Sequence, residues 1–195
     1  MTVINSQDVT AVILAGGMGK RMGGLDKGHV TLNGQPLIKY IIEAIRPQVG
    51  TVLINANRNH DLYSRFGYPV LSDQLQDYQG PLAGFAVGMQ TATTSHIVTV
   101  PCDGPFLAPV LVNRLLNALL SDTADLSVAH DGTRLQPMHA LIPVNLRHSL
   151  DDFLARGERK ISCWYAEHKI ALADFSDVPQ TFININTPAD QHRFE

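Results

Sequence analysis

A glycine-rich, basic segment near the start of the chain has the residue types needed to bind phosphate. It follows an apolar run from Val12 to Leu14, and it reads AGGMGKRMGGLDKG from Ala15 to Gly28. Glycine lets the backbone approach a ligand closely, and successive backbone N–H groups can form a concavity that binds anions. Positive charge for the phosphates would come from Lys20, Arg21 and Lys27, so the segment predicts a phosphate-binding loop that follows a strand.

Polar side chains follow three further apolar runs. Asn55 lies near the end of 51–56, Asp73 follows Val70-Leu71, and Asp103 follows the run from His96 to Val100. In open α/β sheets, ligands bind at the carboxyl ends of the strands. Mg²⁺ prefers a few carboxylate oxygens combined with phosphates and water, and Asp103 is the first choice as its ligand. The alternative is that Asp103 only caps the turn before Gly104-Pro105.

Two better-known phosphate loops do not fit the segment. A Walker A loop requires a glycine where Leu14 stands and Ser or Thr where Arg21 follows Lys20. The dinucleotide fingerprint lacks its third glycine, at Met22, and Asn55 stands where an acidic residue would hold a ribose. A nicotinamide enzyme is therefore a weak alternative. The 8 histidines show no HxH or HExxH spacing, which argues against a zinc site.

Alternating strand and helix patterns predict a single domain, residues 1–195, with a three-layer α/β/α Rossmann-like fold. The sheet should be mostly parallel, with an antiparallel addition around the Asp131-Gly132 turn. Apolar spacing predicts helices over 36–46, 82–93, 111–120, 145–155 and 158–167, strands over 124–130, 135–142, 170–174 and 181–185, and a last helix after Thr187.

Composition favours a small-molecule partner in the cytoplasm. Hydrophobic residues make up 45% of the chain, charged residues 17%, and the net charge is −3, without the basic excess that bulk nucleic-acid binding requires. Cys102 and Cys163 form no CxxC pair, so we expect both to be reduced. No secretory pattern and no apolar segment long enough for a membrane span is found.

The first loop resembles the signature of nucleotidyltransferases that move a nucleoside monophosphate from a triphosphate onto a phosphorylated acceptor. Leu14, the Gly16-Gly17 pair, Arg21-Met22-Gly23 and Asp26-Lys27 carry that resemblance. Later segments fall in the order seen in the molybdenum cofactor guanylyltransferases: 55–58 (NANR), 72–73 (SD), 80–84 (GPLAG), 101–105 (PCDGP), 157–160 (GERK) and 184–188 (NINTP).

The resemblance implies roles for these residues. The N-terminal part would bind GTP: Leu14, Ala15 and Gly16 would contact the guanine, and Lys27 would contact the phosphates. Gly17 is expected to bind the nucleotide as well, and Lys27, Asp103 and Arg21 are the predicted catalytic residues. Asn55 and Asp73 would contact the nucleoside, and Asp103 would bind both GTP and magnesium. The absence of a β-carbon at Gly16 would let the backbone lie close to a purine.

The acceptor is implied to be molybdopterin carrying molybdenum, bound by the C-terminal part, with the guanine dinucleotide form and pyrophosphate as products. Transient contacts with proteins of molybdenum cofactor biosynthesis or molybdoenzyme maturation are also implied. The candidates for acceptor binding are Arg156, Arg159, Lys160, Asn184 and Asn186, although the first three could form a solvated face and the asparagines could be strand-end caps. Two alternatives stay open: a cytidylyltransferase acting on the same cofactor or an isoprenoid phosphate, and a non-catalytic nucleotide-binding module.

Overall fold

The computed structural model of the chain describes residues 4–16, 26–73 and 80–195, which are built around a seven-stranded sheet. The strands are β1 (Val9–Leu14), β2 (Thr31–Leu32), β3 (Gln35–Pro36), β4 (Thr51–Asn55), β5 (Val70–Leu71), β6 (His96–Pro101), β7 (Leu126–His130), β8 (Leu135–Pro143) and β9 (Ile170–Asp174). The helices are α1 (Leu37–Ile45), α2 (His60–Ser64), α3 (Pro81–Thr91), α4 (Leu111–Asp122), α5 (Arg147–Ala155), α6 (Ile161–Tyr165) and α7 (Pro188–Phe194). No helix in these three ranges is long and apolar enough to cross a membrane.

The strand order of the main sheet is β5-β4-β1-β6-β8-β7-β9, and β2 pairs with β3 in a separate small hairpin. Only β8 runs against its two neighbours, so the predicted parallel sheet with an antiparallel addition is confirmed. The chain builds outward from β1 through β4 to β5 and then returns to place β6 on the other side of β1. Such a reversal opens a crevice at the carboxyl ends of the two central strands.

Both faces of the sheet are covered by helices, because the central strands carry apolar residues on both sides. Every residue of β1 is buried. Val9, Ala11 and Ile13 pack in the same apolar cluster as residues of α1 and α4, whereas Val12 and Leu14 pack in the cluster that contains residues of α3, α5 and α6. Alternation of side chains along a strand produces this division. The predicted three-layer α/β/α arrangement is therefore confirmed.

One predicted element is wrong and another is shorter than expected. Residues 181–185 form no strand, because Pro179–Phe182 is a 3₁₀ turn and its successors are irregular. Phe182 and Ile185 are both buried, and their spacing of three residues suits a turn better than the two-residue repeat of a strand. The helix predicted over 158–167 is reduced to α6, because Gly157 adopts a left-handed φ of 84° and the chain re-enters a helix only after Lys160.

Candidate functional site

Three neighbouring strands end in one row, and this row assembles the candidate site. Leu14 of β1 pairs with Asn55 of β4 on one side and with Pro101 of β6 on the other. The backbone hydrogen bonding between neighbouring strands continues for one residue beyond β1 and β6. The N–H of Ala15 donates to the carbonyl of Asn55 at 2.8 Å, and that of Cys102 donates to the carbonyl of Leu14 at 3.2 Å. The side chains that follow these strands therefore reach the same edge of the sheet, as predicted.

Lys27 and Asp103 meet at this edge. Nζ of Lys27 lies 2.8 Å from Oδ2 of Asp103, and it also donates to Oδ1 of Asn186 at 2.5 Å. The side chain of Asp103 is 7% exposed and that of Lys27 is 28% exposed, so the ammonium group lies at a partly open boundary. The ammonium group of Lys27 is therefore contacted by two residues that are distant in the chain, Asp103 and Asn186.

A small apolar cluster brings the segments of these three residues together. Val30, just after Lys27, packs with Leu37 at the start of α1 and with Ile185, the residue before Asn186. The backbone N–H of Ile185 also donates to the carbonyl of Asp103 at 2.8 Å. The backbones that carry all three side chains are therefore fixed to one another, which limits the entropy lost when the side chains engage a ligand.

A second group of polar side chains lies on the β4 side of the crevice. Nδ2 of Asn55 donates to Oδ1 of Asp73 at 2.9 Å. Asn57 uses both ends of its amide, because Nδ2 donates to Oδ2 of Asp73 at 2.6 Å while Oδ1 accepts the backbone N–H of Asp73 at 2.8 Å. Asp73 is thus held on two sides, and each carboxylate oxygen keeps a lone pair for a ligand hydroxyl.

Asn57 is a member of the site that the sequence did not single out. Its position two residues after Asn55 was a usable signal, because residues at i and i+2 on an extended chain point to the same side. In the sequence, Asn57 appeared only within the 55–58 segment, and the hydrogen bonds between its side-chain amide and Asp73 were not predicted.

The described part of the first loop lies against this group. Leu14 and Ala15 are 8% and 2% exposed. A β-carbon built on Gly16 would lie 3.2 Å from Nδ2 of Asn57 and 3.7 Å from Oδ1 of Asn55, so Gly16 faces the predicted nucleoside residues. The φ of Gly16 lies outside the left-handed region, so a larger residue would not strain the backbone. It would instead fill the space next to Asn57 and Asn55. Gly17 and Arg21 fall outside the described residues.

Helix α3 fits beneath the site because it carries glycine where it crosses β1 and β4. A β-carbon on Gly84 would lie 2.4 Å from Oδ1 of Asn55 and 2.6 Å from Cδ2 of Leu14. One turn later, a β-carbon on Gly88 would lie 2.6 Å from Cγ2 of Val12. Both glycines permit close packing of α3 on the sheet, but only Gly84 borders the candidate site.

We expect Gly84→Ala to lower both stability and activity. Overpacking typically costs about 1–3 kcal/mol of unfolding free energy, and here the added methyl group would also displace Asn55 from Asp73. Gly88→Ala is the matched control, since it overpacks the same helix without contacting Asn55. Urea unfolding and turnover of the folded protein would be measured for both variants. Equal turnover by the two variants would show that Gly84 serves packing only.

Cys102, next to Asp103, is not a candidate nucleophile. The thiol is 3% exposed, and burial raises its pKa well above the usual value, with the nearby carboxylates of Asp103 and Asp26 adding to the shift. Since the thiolate is the reactive form of cysteine, this group is held in its inert state.

Asp103 provides a carboxylate that suits magnesium. Lys27 engages Oδ2, and among the residues that the structure describes nothing donates a hydrogen bond to Oδ1. Mg²⁺ in phosphate-binding sites is typically held by one or two carboxylates, with phosphate oxygens and waters as the other ligands. In residues 4–16, 26–73 and 80–195 no group of three His, Cys, Asp or Glu side chains could hold a metal by itself. The donor set is thus compatible with a cation that arrives with a nucleotide.

The candidate acceptor residues differ in their surroundings. Arg156 forms an ion pair with Glu167 at 2.6 Å and lies over the ring of Phe153, an arrangement typical of a protein surface. Arg159 donates to the carbonyls of Leu154 and Glu158, and Lys160 precedes α6. A β-carbon on Gly80 would lie 3.9 Å from the carbonyl oxygen of Arg159, so this segment lies beside the start of α3.

Asn184 differs from the basic candidates because its side-chain oxygen is buried without a donor among the described residues. A β-carbon on Gly104 would lie 3.1 Å from that oxygen. Asn184 is therefore next to the loop that carries Asp103, and it has an acceptor that a ligand could use.

Comparisons with known proteins agree with this geometry. Residues 11–171 match the MobA-like NTP transferase domain. A protein of Shewanella loihica named molybdenum cofactor guanylyltransferase is 50% identical over 188 residues, 96% of each chain. A protein of the same name from Shewanella sediminis is 51% identical over 188 residues, again 96% of each chain.

A solved structure confirms the fold. It is the molybdopterin-guanine dinucleotide biosynthesis protein A from Archaeoglobus fulgidus, with a TM-score of 0.80, 23% sequence identity, and coverage of 95% of this chain and 96% of that one. The match over residues 11–171 and relatives about 50% identical along nearly their whole length lead to one conclusion: the chain belongs to the MobA-like NTP transferase family.

Proposed function

We propose that this chain is a molybdenum cofactor guanylyltransferase, which transfers GMP from GTP to the terminal phosphate of molybdopterin carrying molybdenum. The products are the guanine dinucleotide form of the cofactor and pyrophosphate. The contact of Lys27 with Asp103 at the reversal point of the sheet carries the proposal, because it brings together a cation that could bind phosphate and a carboxylate that could bind magnesium. The names of the relatives supply the substrates.

The reaction is an in-line displacement at the α-phosphorus of GTP. A terminal phosphate oxygen of the acceptor forms a bond to that phosphorus, and the bond from the phosphorus to the bridging oxygen breaks, so pyrophosphate leaves with the electron pair. The protein contributes positioning and neutralisation of charge. A magnesium ion held by Asp103 would add Lewis-acid stabilisation of the phosphate oxygens.

Lys27 is well placed to contact the triphosphate. An ammonium group has three donors, and Asp103 and Asn186 use two of them. The third can donate to a phosphate oxygen without either existing contact being lost. Arg21 would add a second positive charge from the same loop.

Asn55 and Asp73 support recognition of the nucleoside. Oδ1 of Asn55 faces Gly84 and Gly16 while Nδ2 is engaged by Asp73, so the free end of the amide is an acceptor. Guanine presents two adjacent donors on its base-pairing edge, and this acceptor beside the first loop would match one of them. Asp73, clamped by Asn57, would accept from a ribose hydroxyl.

The acceptor would occupy the C-terminal side of the crevice. Asn184 and Asn186 approach from the segment before α7, and Arg159 and Lys160 lie beside the start of α3. We propose that these four residues bind the acceptor and that Arg156 is a surface residue that does not. The proposal includes a cytoplasmic location and transient contacts with proteins that make the cofactor or insert it into molybdoenzymes.

A thermal-unfolding panel with each nucleoside triphosphate and magnesium tests the choice of nucleotide. Ligand at about 100 times its dissociation constant adds roughly 2.7 kcal/mol of stability, which for a chain of this size raises the midpoint by about 5–10 °C. We expect GTP to give the largest shift. A larger shift with CTP would favour a cytidylyltransferase, and equal shifts with all four would argue against a site that recognises the base.

A further inference from the structure

The backbone that carries Lys27 is held by residues that belong to a different part of the fold. Asp26, the preceding residue, is only 7% exposed. Its Oδ1 accepts a hydrogen bond from the hydroxyl of Tyr63, and its Oδ2 accepts one from Nδ2 of Asn59 at 3.0 Å and forms an ion pair with Nε of Arg58 at 3.5 Å. All three partners lie in or just before α2.

The residues after Lys27 rest on the same tyrosine. A β-carbon on Gly28 would lie 2.6 Å from Oη of Tyr63 and 3.0 Å from its Cε1, so only glycine leaves room for the ring. The ring of His29 lies 4.6 Å from that of Tyr63, centroid to centroid. Tyr63 therefore contacts the residues on both sides of Lys27, and it is itself fully buried in the core beneath them.

These contacts leave the Lys27 backbone little freedom. A buried carboxylate is costly unless donors surround it, so Asp26 must stay where Tyr63, Asn59 and Arg58 hold it. The side chain of Lys27 extends from this fixed backbone to Asp103 and Asn186. A shift of Asp26 or Gly28 by a fraction of an ångström would move the ammonium group relative to the triphosphate.

We propose that Tyr63 is a positioning residue for Lys27: its hydroxyl holds Asp26, its ring supports Gly28, and together they fix the ammonium group where the phosphates of the nucleotide bind. The inference rests on the proposed function, because it takes Lys27 to contact GTP. Because Tyr63 is fully buried, we expect its effect on the nucleotide to pass through Lys27.

A double-mutant cycle tests this assignment, with GTP affinity measured by calorimetry in the presence of magnesium. Tyr63→Phe keeps the ring and removes only the hydroxyl. In the otherwise unaltered protein we expect the dissociation constant for GTP to rise about tenfold, the effect of weakening one hydrogen bond to a charged group. In a Lys27→Ala background the same change should alter it less than about twofold, because residues that act as a unit are not additive.

Tyr165→Phe is the matched control. Tyr165 is also buried, but its hydroxyl donates to the carbonyl of Pro137 at 2.8 Å and not to a residue next to Lys27. We expect Tyr165→Phe to lower the unfolding midpoint and leave GTP affinity unchanged. Equal loss of affinity from Tyr63→Phe in both backgrounds, or the same loss from Tyr165→Phe, would overturn the positioning role. Failure of the unaltered protein to bind GTP would instead contradict the proposed function.

Discussion

Asp103→Ala should remove nearly all turnover while the protein stays folded. The carboxylate is proposed to hold magnesium against the triphosphate, and the loss of one such electrostatic contact typically lowers kcat by about 10²–10³. Its packing role is small, because the carboxylate lies two residues beyond β6 and forms an ion pair with Lys27, a residue at the partly open edge of the sheet. Turnover would be measured as pyrophosphate release, and folding as the thermal midpoint.

Two further variants separate the effect of the Asp103 charge from other effects of the substitution. Asp103→Asn keeps the size of the side chain and an acceptor for Lys27 but removes the charge, so it should be almost as inactive as Asp103→Ala. Asp177→Ala is the control, because Asp177 forms an ion pair with Arg114 at 2.5 Å on an exposed surface away from the site. It should leave turnover unchanged. A wild-type rate for Asp103→Ala would contradict the magnesium role and favour the alternative given by the sequence, that Asp103 only caps a turn.

Lys27→Ala has the second largest expected effect. It removes the cation that lies between Asp103 and Asn186, and we expect kcat/KM for GTP to fall about 10²-fold or more. Steady-state kinetics would show at which step Lys27 acts. A raised KM with unchanged kcat would mean that Lys27 stabilises the bound nucleotide and the transition state equally. A lowered kcat with unchanged KM would mean that it stabilises only the transition state.

Lys39→Ala provides the matched control for charge. Lys39 lies on α1, its side chain is 44% exposed, and it forms a pair with Glu43 at 3.8 Å. Surface pairs of this kind contribute little to stability, so the variant should resemble the unaltered protein. If Lys27→Ala behaved in the same way as Lys39→Ala, the first loop would not be the phosphate-binding element.

The parts of the fold that depend on local pattern were predicted well from the sequence. The buried strands β1, β4 and β6 are predominantly apolar, and α1 and α4 show apolar residues at helical spacing that the structure buries. Because parallel strands end at one edge, the positions of Asn55 and Asp103 at that edge follow from the strand pattern alone. The resemblance seen in the sequence rested on the spacing of Arg21, Asp26 and Lys27 in the first loop and on the order of the later segments, and the family comparison then confirmed it.

Contacts between distant segments could not be predicted in this way. Lys27 and Asn186 are 159 residues apart, and the apolar cluster of Val30, Leu37 and Ile185 that joins them has no periodic signal in any one segment. Contacts between distant segments also explain why the strand predicted at 181–185 was wrong, since the burial of Phe182 and Ile185 against other elements favoured a turn. Tyr63 belongs to a short helix whose role becomes visible only through Asp26 and Gly28.

The most direct test of the proposed guanylyl transfer is a competition in one reaction. The protein would be incubated with molybdopterin carrying molybdenum, magnesium and equal concentrations of GTP, CTP, ATP and UTP, and the dinucleotide product would be identified by mass spectrometry. We predict the guanine dinucleotide as the dominant product, with one pyrophosphate released for each. A dominant cytosine dinucleotide, or the absence of any dinucleotide product, would contradict the account.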